Sequence, residues 1–250
     1  VTLNFTATDT GGSGVKSIKK PDGTTVTTAS TTFVVSANGT YDFVVTDNAE
    51  NSKTVSIVVN RIDKSLPTLA IVQTPTAWTN QNVTLTATGS DTGDSGVKSI
   101  TLPNGNVVSG SSASEIVSAN GTFTFKVTDN AGNVTSKTIT VTNIDKVAPT
   151  IGKSEIKNVT QDSFDVYLYD VKDLDSGISK VQFPVWTNEG GQDDLLKTWQ
   201  TDSKASGTNM GNGTWKFTVN RSEHNYEFGY YTVHIYTYDA AGNTAVTTTS

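Results

Sequence analysis

An internal repeat constrains this chain more than any other feature of its sequence. Residues 1–68 align without a gap with residues 83–150, at an offset of 82, and 37 of the 68 aligned pairs are identical. The most similar stretches are VTLNFTATDTGGSGVKSI with VTLTATGSDTGDSGVKSI, and SANGTYDFVVTDNAEN with SANGTFTFKVTDNAGN. A fixed period marks consecutive folding units, so we expect an array of similar modules.

Each copy contains short runs of β-branched and aromatic residues separated by Gly, Asn, Asp and Pro, which is typical of strands and tight turns. In the second copy the expected strands are 69–73, 83–88, 97–102, 115–117, 122–128 and 137–142. Large apolar and polar side chains alternate along 122–128, so one face of that strand should point to a core. This number of strands per copy predicts an immunoglobulin-like sandwich.

Residues 150–250 differ in composition but keep similar turn sequences. DLDSGI at 173–178 is similar to DTGDSGV, and YDAAGN at 238–243 is similar to TDNAGN. Strands are expected at 164–170, 178–186, 214–219 and 230–238. We therefore predict an all-β fold of three tandem immunoglobulin-like β-sandwich modules at 1–66, 67–148 and 149–250. The first copy begins where the second strand of the second copy begins, so its first strand should be missing.

Composition and charge limit the function classes. The formal net charge is −6, the isoelectric point is near 4.9 and there is no cysteine. A nucleic acid or an anionic membrane needs a face rich in Lys and Arg, so neither is an expected partner. No segment has the roughly 18 apolar residues of a membrane span. The absence of cysteine also excludes disulfides and cysteine metal sites. We expect a monomer.

Three segments in the last part of the chain carry a family resemblance. VQFPVWTNEGGQDDL (181–195), NGTWKFTVNRSEH (212–224) and GYYTVHIYTYDAAGN (229–243) resemble the group B streptococcal Bsp-like repeat. The first two copies resemble bacterial Ig-like repeats that end in TDNAGN and an I-D-K-x-x-P linker. The Bsp-like family occurs beside amidases and lysozymes in cell-wall hydrolases, and in other surface proteins of Gram-positive bacteria. The resemblance implies an extracellular chain, secreted or at the cell wall, and assigns no reaction to this module.

Acidic residues recur where modules should meet. In an immunoglobulin-like sandwich the B–C and F–G loops lie at one pole, and the chain also enters the first strand there. The first junction would gather Asp63, Asp91, Asp94 and Asp129, and the second Asp145, Asp173, Asp175 and Asp239. One hypothesis is interdomain calcium, which takes about 6–8 oxygen ligands and would neutralise these carboxylates. The alternative, which the sequence favours, is that each Asp forms an Asx-turn or caps its own loop without an ion.

Tryptophans suggest a second candidate site. Trp186, Trp199 and Trp215 could form an aromatic platform for a sugar ring or a wall peptide, because flat apolar faces with a polar edge suit such ligands. Ordinary core packing is the alternative and is favoured, since a sandwich needs large inward residues. Trp199 lies in a loop-like stretch and should be the most exposed of the three.

The sequence offers little support for catalysis. His224 and His234 have no companion motif such as HExxH, and His234 lies in an expected strand. Asp193 and Asp194 are adjacent and do not by themselves specify glycosidase chemistry, so a solvated loop is expected there. We predict no catalytic residue, no enzyme activity and no cofactor other than calcium.

The leading functional hypothesis is a non-catalytic extracellular stalk or attachment segment of a bacterial cell-wall-associated protein, which presents or anchors a domain outside these residues. The alternative is a carbohydrate- or peptidoglycan-binding module, acting through the third domain of a cell-wall hydrolase. Its partner would be a glycan of the cell wall or of a host surface. Residues 149–250 include 13 acidic and 8 basic residues. This balance favours cations or neutral glycans over an anionic polymer.

Overall fold

The computed structural model describes all residues from Val1 to Ser250. It contains 21 strands, and its only helical elements are 3-10 turns at Ser203–Ala205 and Arg221–Glu223. The strands are β1 (Thr2–Thr6), β2 (Val15–Lys19), β3 (Thr25–Val26), β4 (Ser30–Val34), β5 (Gly39–Asp47), β6 (Ser52–Val59), β7 (Thr68–Thr74), β8 (Val83–Ser90), β9 (Val97–Thr101), β10 (Val107–Ser109), β11 (Ser112–Val117), β12 (Gly121–Asp129), β13 (Val134–Val141), β14 (Ser154–Lys157), β15 (Ser163–Leu168), β16 (Ile178–Gln182), β17 (Val185–Thr187), β18 (Thr208–Gly211), β19 (Thr214–Asn220), β20 (Tyr231–Asp239) and β21 (Thr244–Thr249).

The strands form six sheets, two in each of three consecutive stretches of the chain. The first stretch holds the sheets β1-β4 and β3-β2-β5-β6, and the second holds β11-β8-β7 and β10-β9-β12-β13. The third holds β14-β15-β19-β18 and a sheet in which β20 pairs with β16, β17 and β21. In the first stretch β1 pairs with β4 alone, whereas its counterpart β8 also has β7 beside it. The predicted fold class, all-β with tandem immunoglobulin-like sandwiches, is confirmed.

The chain divides into two compact units. The first comprises Val1–Ala70, Ala87–Ala113 and Phe125–Lys137, and the second comprises Ile71–Thr86, Ser114–Thr124 and Thr138–Ser250. The division runs through the second copy of the repeat, so strands such as β8 contribute residues to both units.

In the first unit, aromatic side chains join the two sheets formed by β1–β6. Phe5 of β1 stacks on Phe43 of β5, with ring centroids 4.5 Å apart. Phe33 of β4 meets the Phe43 ring edge-on at 6.2 Å. Ile18 of β2 is fully buried in the same cluster. Because β1 and β4 belong to one sheet and β2 and β5 to the other, these contacts form the interior of a sandwich.

In the second unit, a hydrophobic core lies between the two sheets formed by β14–β21. One sheet contributes Val166, Leu168, Trp215 and Val219, and the other contributes Val181, Val185, Val233 and Ile235. Phe183 lies in this core and stacks on Phe217, with ring centroids 5.1 Å apart. The third stretch is therefore also a two-layer sandwich.

No helix in the structure has the length and apolar composition that crossing a membrane requires.

The single strand expected at 178–186 is interrupted at Pro184. Proline has no N–H to donate to the ladder, and β16 ends at Gln182 while β17 begins at Val185. The Phe183 N–H donates instead to the Ala205 carbonyl at 2.7 Å. The Pro184 carbonyl still accepts from the His234 N–H at 3.0 Å, so both pieces stay attached to β20.

Alternation along β12 predicts contrasting effects of two neighbouring substitutions. Phe125 is fully buried, whereas Thr124 is exposed. Phe125→Ala should lower the free energy of unfolding by about 3–5 kcal/mol, because it leaves a cavity. Thr124→Ala should change it by less than about 0.5 kcal/mol. Urea denaturation followed by circular dichroism measures both values, and equal effects would contradict the assigned faces.

Candidate functional site

The linker between β6 and β7 joins two loops of the following repeat through Asp63. We call this arrangement the first joint: linker 60–67, loop 91–96 after β8, and loop 129–133 at the end of β12. Carboxylate oxygens of Asp63, Asp91 and Asp129 lie within 4.8 Å of one another. The Ser95 N–H donates to Asp63 Oδ2 at 3.2 Å, so a linker side chain is bound by a loop of the next repeat.

The backbone of the linker is bound as well. Asn133 Nδ2 donates to the Asp63 carbonyl at 3.2 Å and to Asp129 Oδ2 at 2.8 Å. One amide side chain therefore connects the linker to the last turn of β12. On the other side of the linker, Asn38 Nδ2 donates to the Ile62 carbonyl and the Ile62 N–H donates to Asn38 Oδ1, at 3.0 and 2.8 Å. Adjacent linker residues are thus held by the preceding repeat at Ile62 and by the following repeat at Asp63.

The second joint repeats this geometry in the second unit. It consists of linker 142–149, loop 173–177 and loop 239–243, and carboxylate oxygens of Asp145, Asp173 and Asp239 lie within 4.8 Å of one another. Asn243 Nδ2 donates to the Asp145 carbonyl at 2.9 Å and to Asp239 Oδ2 at 2.7 Å. The N–H and hydroxyl of Ser176 both donate to Asp145 Oδ2, at 3.2 and 2.6 Å.

The preceding repeat also holds the second linker. Asn120 Nδ2 donates to the Ile144 carbonyl at 2.8 Å, and the Ile144 N–H donates to Asn120 Oδ1 at 2.9 Å. Asn120 and Ile144 occupy the positions of Asn38 and Ile62 in the repeat. The same pair of contacts therefore fixes both linkers.

These carboxyl groups favour the ionised form. Hydrogen bonds from Ser95 and Ser65 lower the pKa of the Asp63 carboxyl below its usual value. Burial raises the pKa of the Asp129 carboxyl, but donors on Asn133 more than offset it and the net shift is downward. Burial likewise raises the pKa of Asp145, and the Ser176 donors reverse the shift. No lysine or arginine forms a salt bridge with a clustered carboxylate of either joint. Each joint therefore concentrates negative charge.

The structure does not bring all eight predicted aspartates together. Asp94 and Asp175 are exposed and belong to neither cluster. The reason is local: Asp91 Oδ2 accepts the Gly96 N–H at 2.9 Å, and Asp173 Oδ1 accepts the Gly177 N–H at 2.7 Å. The first Asp of each loop thus closes the turn from inside, which leaves the later Asp on the outer surface.

Trp186 and Trp199 lie on the outer face of the sheet centred on β20. The core face of β20 carries Val233, Ile235 and Thr237, so the alternate residues point outward. The outward rings form a continuous row that we call the aromatic strip: Trp186, His234, Tyr236, Trp199 and Tyr238. Centroid distances are 4.7 Å for Trp186–His234, 6.3 Å for His234–Tyr236, 4.5 Å for Trp199–Tyr236 and 6.5 Å for Tyr236–Tyr238.

Trp199 comes from the loop between β17 and β18, which specific hydrogen bonds attach to the sheet. Gln182 Nε2 donates to the carbonyls of Trp199 and Gln200 at 2.6 and 2.9 Å. Lys180 Nζ donates to the Gln200 carbonyl at 3.0 Å. Gln182 is 1% exposed, and its Oε1 accepts no hydrogen bond within the protein. An unpaired buried acceptor costs about 1–3 kcal/mol, so the fold holds Trp199 over Tyr236 at an energetic cost.

Trp215 does not belong to the strip. It is 8% exposed and packs in the core between the two sheets of the third stretch. Its ring therefore offers no face to a ligand, and core packing describes this residue.

Comparison with known families assigns the third stretch. Residues 153–250 match the family model described as GBS Bsp-like repeat. This segment is similar to that family, and we refer to it as the Bsp-like repeat. The match bears out the resemblance inferred from the three sequence segments within it.

Other comparisons concern the fold alone. No curated protein matches the chain. Among solved structures, titin domains A168–A170 align with 100% of this chain and 94% of that chain at 12% identity, with a TM-score of 0.45. A tetra-tandem repeat in the extending region of a large adhesion protein aligns with 94% of this chain and 65% of that chain at 16% identity and a TM-score of 0.37. The N-terminal eight Ig domains of Down Syndrome Cell Adhesion Molecule isoform 1.30.30 align with 99% of this chain and 34% of that chain, at 17% identity and a TM-score of 0.35.

The Bsp-like repeat also contains a polar cluster that sequence reasoning missed. Asp193 is exposed, as expected for a solvated loop, but the Asp194 side chain is fully buried. His224 Nδ1 lies 2.8 Å from Asp194 Oδ2, and the Thr187 N–H donates to the same carboxylate at 3.0 Å. Glu227 lies beside them and accepts from the Thr187 hydroxyl. No motif links residues 194 and 224, so only the fold reveals that they meet.

The residues of the strip on β20 could have been found from the sequence. His234, Tyr236 and Tyr238 recur at every second position of a strand, which places their rings on one face. The sequence also suggested Trp186 and Trp199, but it could not show that they contact the rings of β20, because Trp199 lies in an irregular loop and Trp186 follows the interruption at Pro184.

Gly93 provides a direct test of the first joint. A Cβ atom at Gly93 would overlap the Asp63 carboxylate, whereas at Gly11, its counterpart in the first copy, it would lie 3.2 Å from Asp9 Oδ1. Gly93→Ala should therefore displace Asp63 and lower the free energy of unfolding by about 1–3 kcal/mol. Gly11→Ala is the matched control and should cost clearly less. Chemical denaturation compares the two variants, and equal losses would show that Asp63 is not the group that matters.

Proposed function

We propose that this chain is a non-catalytic extracellular spacer: the repeat region of a bacterial cell-wall-associated protein that presents or anchors a domain outside these residues. The observation that carries the proposal is the double fixation of each linker, by Asn38 and Asn133 at the first joint and by Asn120 and Asn243 at the second. Hydrogen bonds to the linker backbone are unnecessary where a linker only connects two domains. They are needed where a linker must hold the domains at a set orientation.

The Bsp-like repeat supports the location. Repeats of this family are typical of bacterial surface proteins, which supports a spacer outside the cell, secreted or at the wall. In the proposed arrangement the modules span 1–66, 67–148 and 149–250, and each joint lies where one module ends and the next begins. A monomer suffices for this role, because every contact that fixes a linker is made within one chain.

A hard divalent cation, calcium in particular, is proposed as a second source of stiffness at the joints. Two oxygens bound to one Ca²⁺ at about 2.3–2.6 Å lie at most about 5 Å apart, and the clustered carboxylates meet that limit. Neighbouring carboxylates repel one another, and a cation between them would relieve this repulsion. The ligands would be Asp63, Asp91 and Asp129 at one joint, and Asp145, Asp173 and Asp239 at the other.

The fixed linker can be tested by distance measurement, because the chain has no cysteine and two can be introduced for spin labels. Thr54 and Lys98 are exposed, and they lie on strands before and after the first joint. Pulsed electron resonance should give a narrow distance distribution for this labelled pair. Asn133→Ala should broaden it, because that variant removes the bond to the Asp63 carbonyl.

Asn130→Ala is the control for this experiment. Asn130 lies in the same loop but donates to the Ser95 and Gly96 carbonyls of its own repeat and not to the linker. The distribution should stay narrow in this variant. An equally broad distribution in the unmodified chain would refute the spacer proposal.

Calcium binding has a separate test. Titration calorimetry should detect two Ca²⁺ ions per chain, and calcium should raise the melting temperature by linkage. Asp63→Asn should remove one of the two sites, while Asp22→Asn, in an exposed turn of the first copy, should remove neither. A melting temperature that is the same in calcium and in EDTA would contradict cation binding and leave the hydrogen-bonded joints as the proposed mechanism.

A further inference from the structure

We propose that the aromatic strip is a binding site for a linear, uncharged glycan. This inference concerns the outer face of the β20 sheet and goes beyond the spacer role. The solvent face of an antiparallel sheet is ordinarily polar. Here five rings, His234 included, make four contacts with one another along the face, and the rings are half-buried and lie away from the core. Packing of the sandwich does not require them there.

The neighbouring strand supplies hydroxyl groups to the same face. In an antiparallel ladder directly paired residues share a face. Thr248 pairs with His234, Val246 with Tyr236 and Thr244 with Tyr238, and all three residues of β21 are exposed. The aromatic rings of β20 are thus flanked by two threonines and one valine. Sugar rings combine an apolar face of C–H groups with a rim of hydroxyls, and a surface of flat rings bordered by hydroxyls matches both parts.

The opposite edge of the strip is built to hold its rings in place. Lys180 Nζ lies 4.5 Å from the centroid of the Tyr238 ring, and the same nitrogen donates to the Gln200 carbonyl next to Trp199. Gln182, which pairs with Tyr236, binds the Trp199 carbonyl and leaves its own buried Oε1 unpaired. Lys180 and Gln182 of β16 therefore both hold the loop over the sheet. Functional sites commonly retain such unfavourable features when position matters.

Charge identifies the kind of polymer. Among the 23 residues of β16, β17, β20 and β21, Lys180 and Asp239 are the only Lys, Arg, Asp or Glu residues, and Asp239 is 2% exposed within the second joint. Single-stranded nucleic acid also stacks on aromatic rows, but it needs a basic groove along its backbone. One lysine, in a stretch with 13 acidic and 8 basic residues, does not provide such a groove. An uncharged ligand complements this face, and a row of rings along a strand fits an extended chain.

The test uses the whole chain and defined probes: cellohexaose and chitohexaose, two uncharged linear hexasaccharides, in titration calorimetry. At least one should bind. Trp199→Ala and Tyr236→Ala should each weaken that binding about tenfold or more, equivalent to about 1.4 kcal/mol. Trp199→Phe keeps a ring over Tyr236 and should recover part of the loss.

Trp78→Ala is the matched control. Trp78 is 38% exposed, lies between β7 and β8 and is not one of the residues of the aromatic strip. Its removal should leave the affinity unchanged. Thermal melting of every variant shows whether a loss of binding comes from unfolding, since Trp199 is outside the core cluster and its substitution should leave the fold intact.

Several outcomes would overturn the proposal. One is the absence of binding to both hexasaccharides and to every uncharged glycan on an array. Another is an affinity that Trp199→Ala and Tyr236→Ala do not alter. A third is a dimer in light scattering that Tyr236→Ala dissolves, which would make a second copy of the chain the occupant of this face. Binding only to acidic glycans, abolished by Lys180→Met, would likewise exclude an uncharged ligand.

Discussion

A charged side chain at the junction of two sandwiches must be solvated by the protein, and this requirement organises both joints. Asp145 is 2% exposed, yet its pKa lies below the usual value because Ser176 and the backbone replace the water that burial removes. The Val147 N–H belongs to the linker itself, but both Ser176 donors belong to the next stretch of the chain. The linker therefore gains the full set of donors to its aspartate only when it is docked against the following loops. The same logic applies to Asp63, which depends on Ser95.

This dependence explains why the linker sequence and two distant loops recur together. Asn133 and Asn243 each use one amide group to bind an aspartate of their own loop and the backbone of the linker. Removing the side chain of either asparagine would take a donor from the linker carbonyl and from one carboxylate oxygen at once. Gly93 adds a steric condition, since any side chain there would occupy the space of the Asp63 carboxylate. The joint is thus specified by hydrogen bonds and by shape, whether or not a cation also binds.

Sequence periodicity predicted most of the strands because it records which face of a strand is buried. The alternation through Trp215, Lys216, Phe217, Thr218 and Val219 also places the Trp215 ring on the same face as Val219, in line with the core packing that the sequence favoured for this residue. Pairings that depend on irregular segments could not be predicted. The break at Pro184, the position of Trp199 and the contact between Asp194 and His224 all arise from loops whose paths no short-range pattern encodes. The exposure of Asp94 and Asp175 has a similar origin, because which aspartate of a turn faces inward depends on the backbone hydrogen bonds of that turn.

Strand β20 shows how one element can serve the joint and the aromatic strip without conflict. On one face of β20, Val233 and Ile235 pack in the core and Asp239 belongs to the second joint. On the other face, His234, Tyr236 and Tyr238 carry the outward rings. Because successive side chains of a strand point to opposite faces, a ligand on the strip would not compete with the contacts that fix the linker. The joint and the strip are nevertheless connected, since Tyr238 and Asp239 are consecutive residues of β20. A linker held at Asp145 therefore also sets the direction in which the strip faces, and a spacer with fixed joints would present this surface in a defined orientation to whatever it binds.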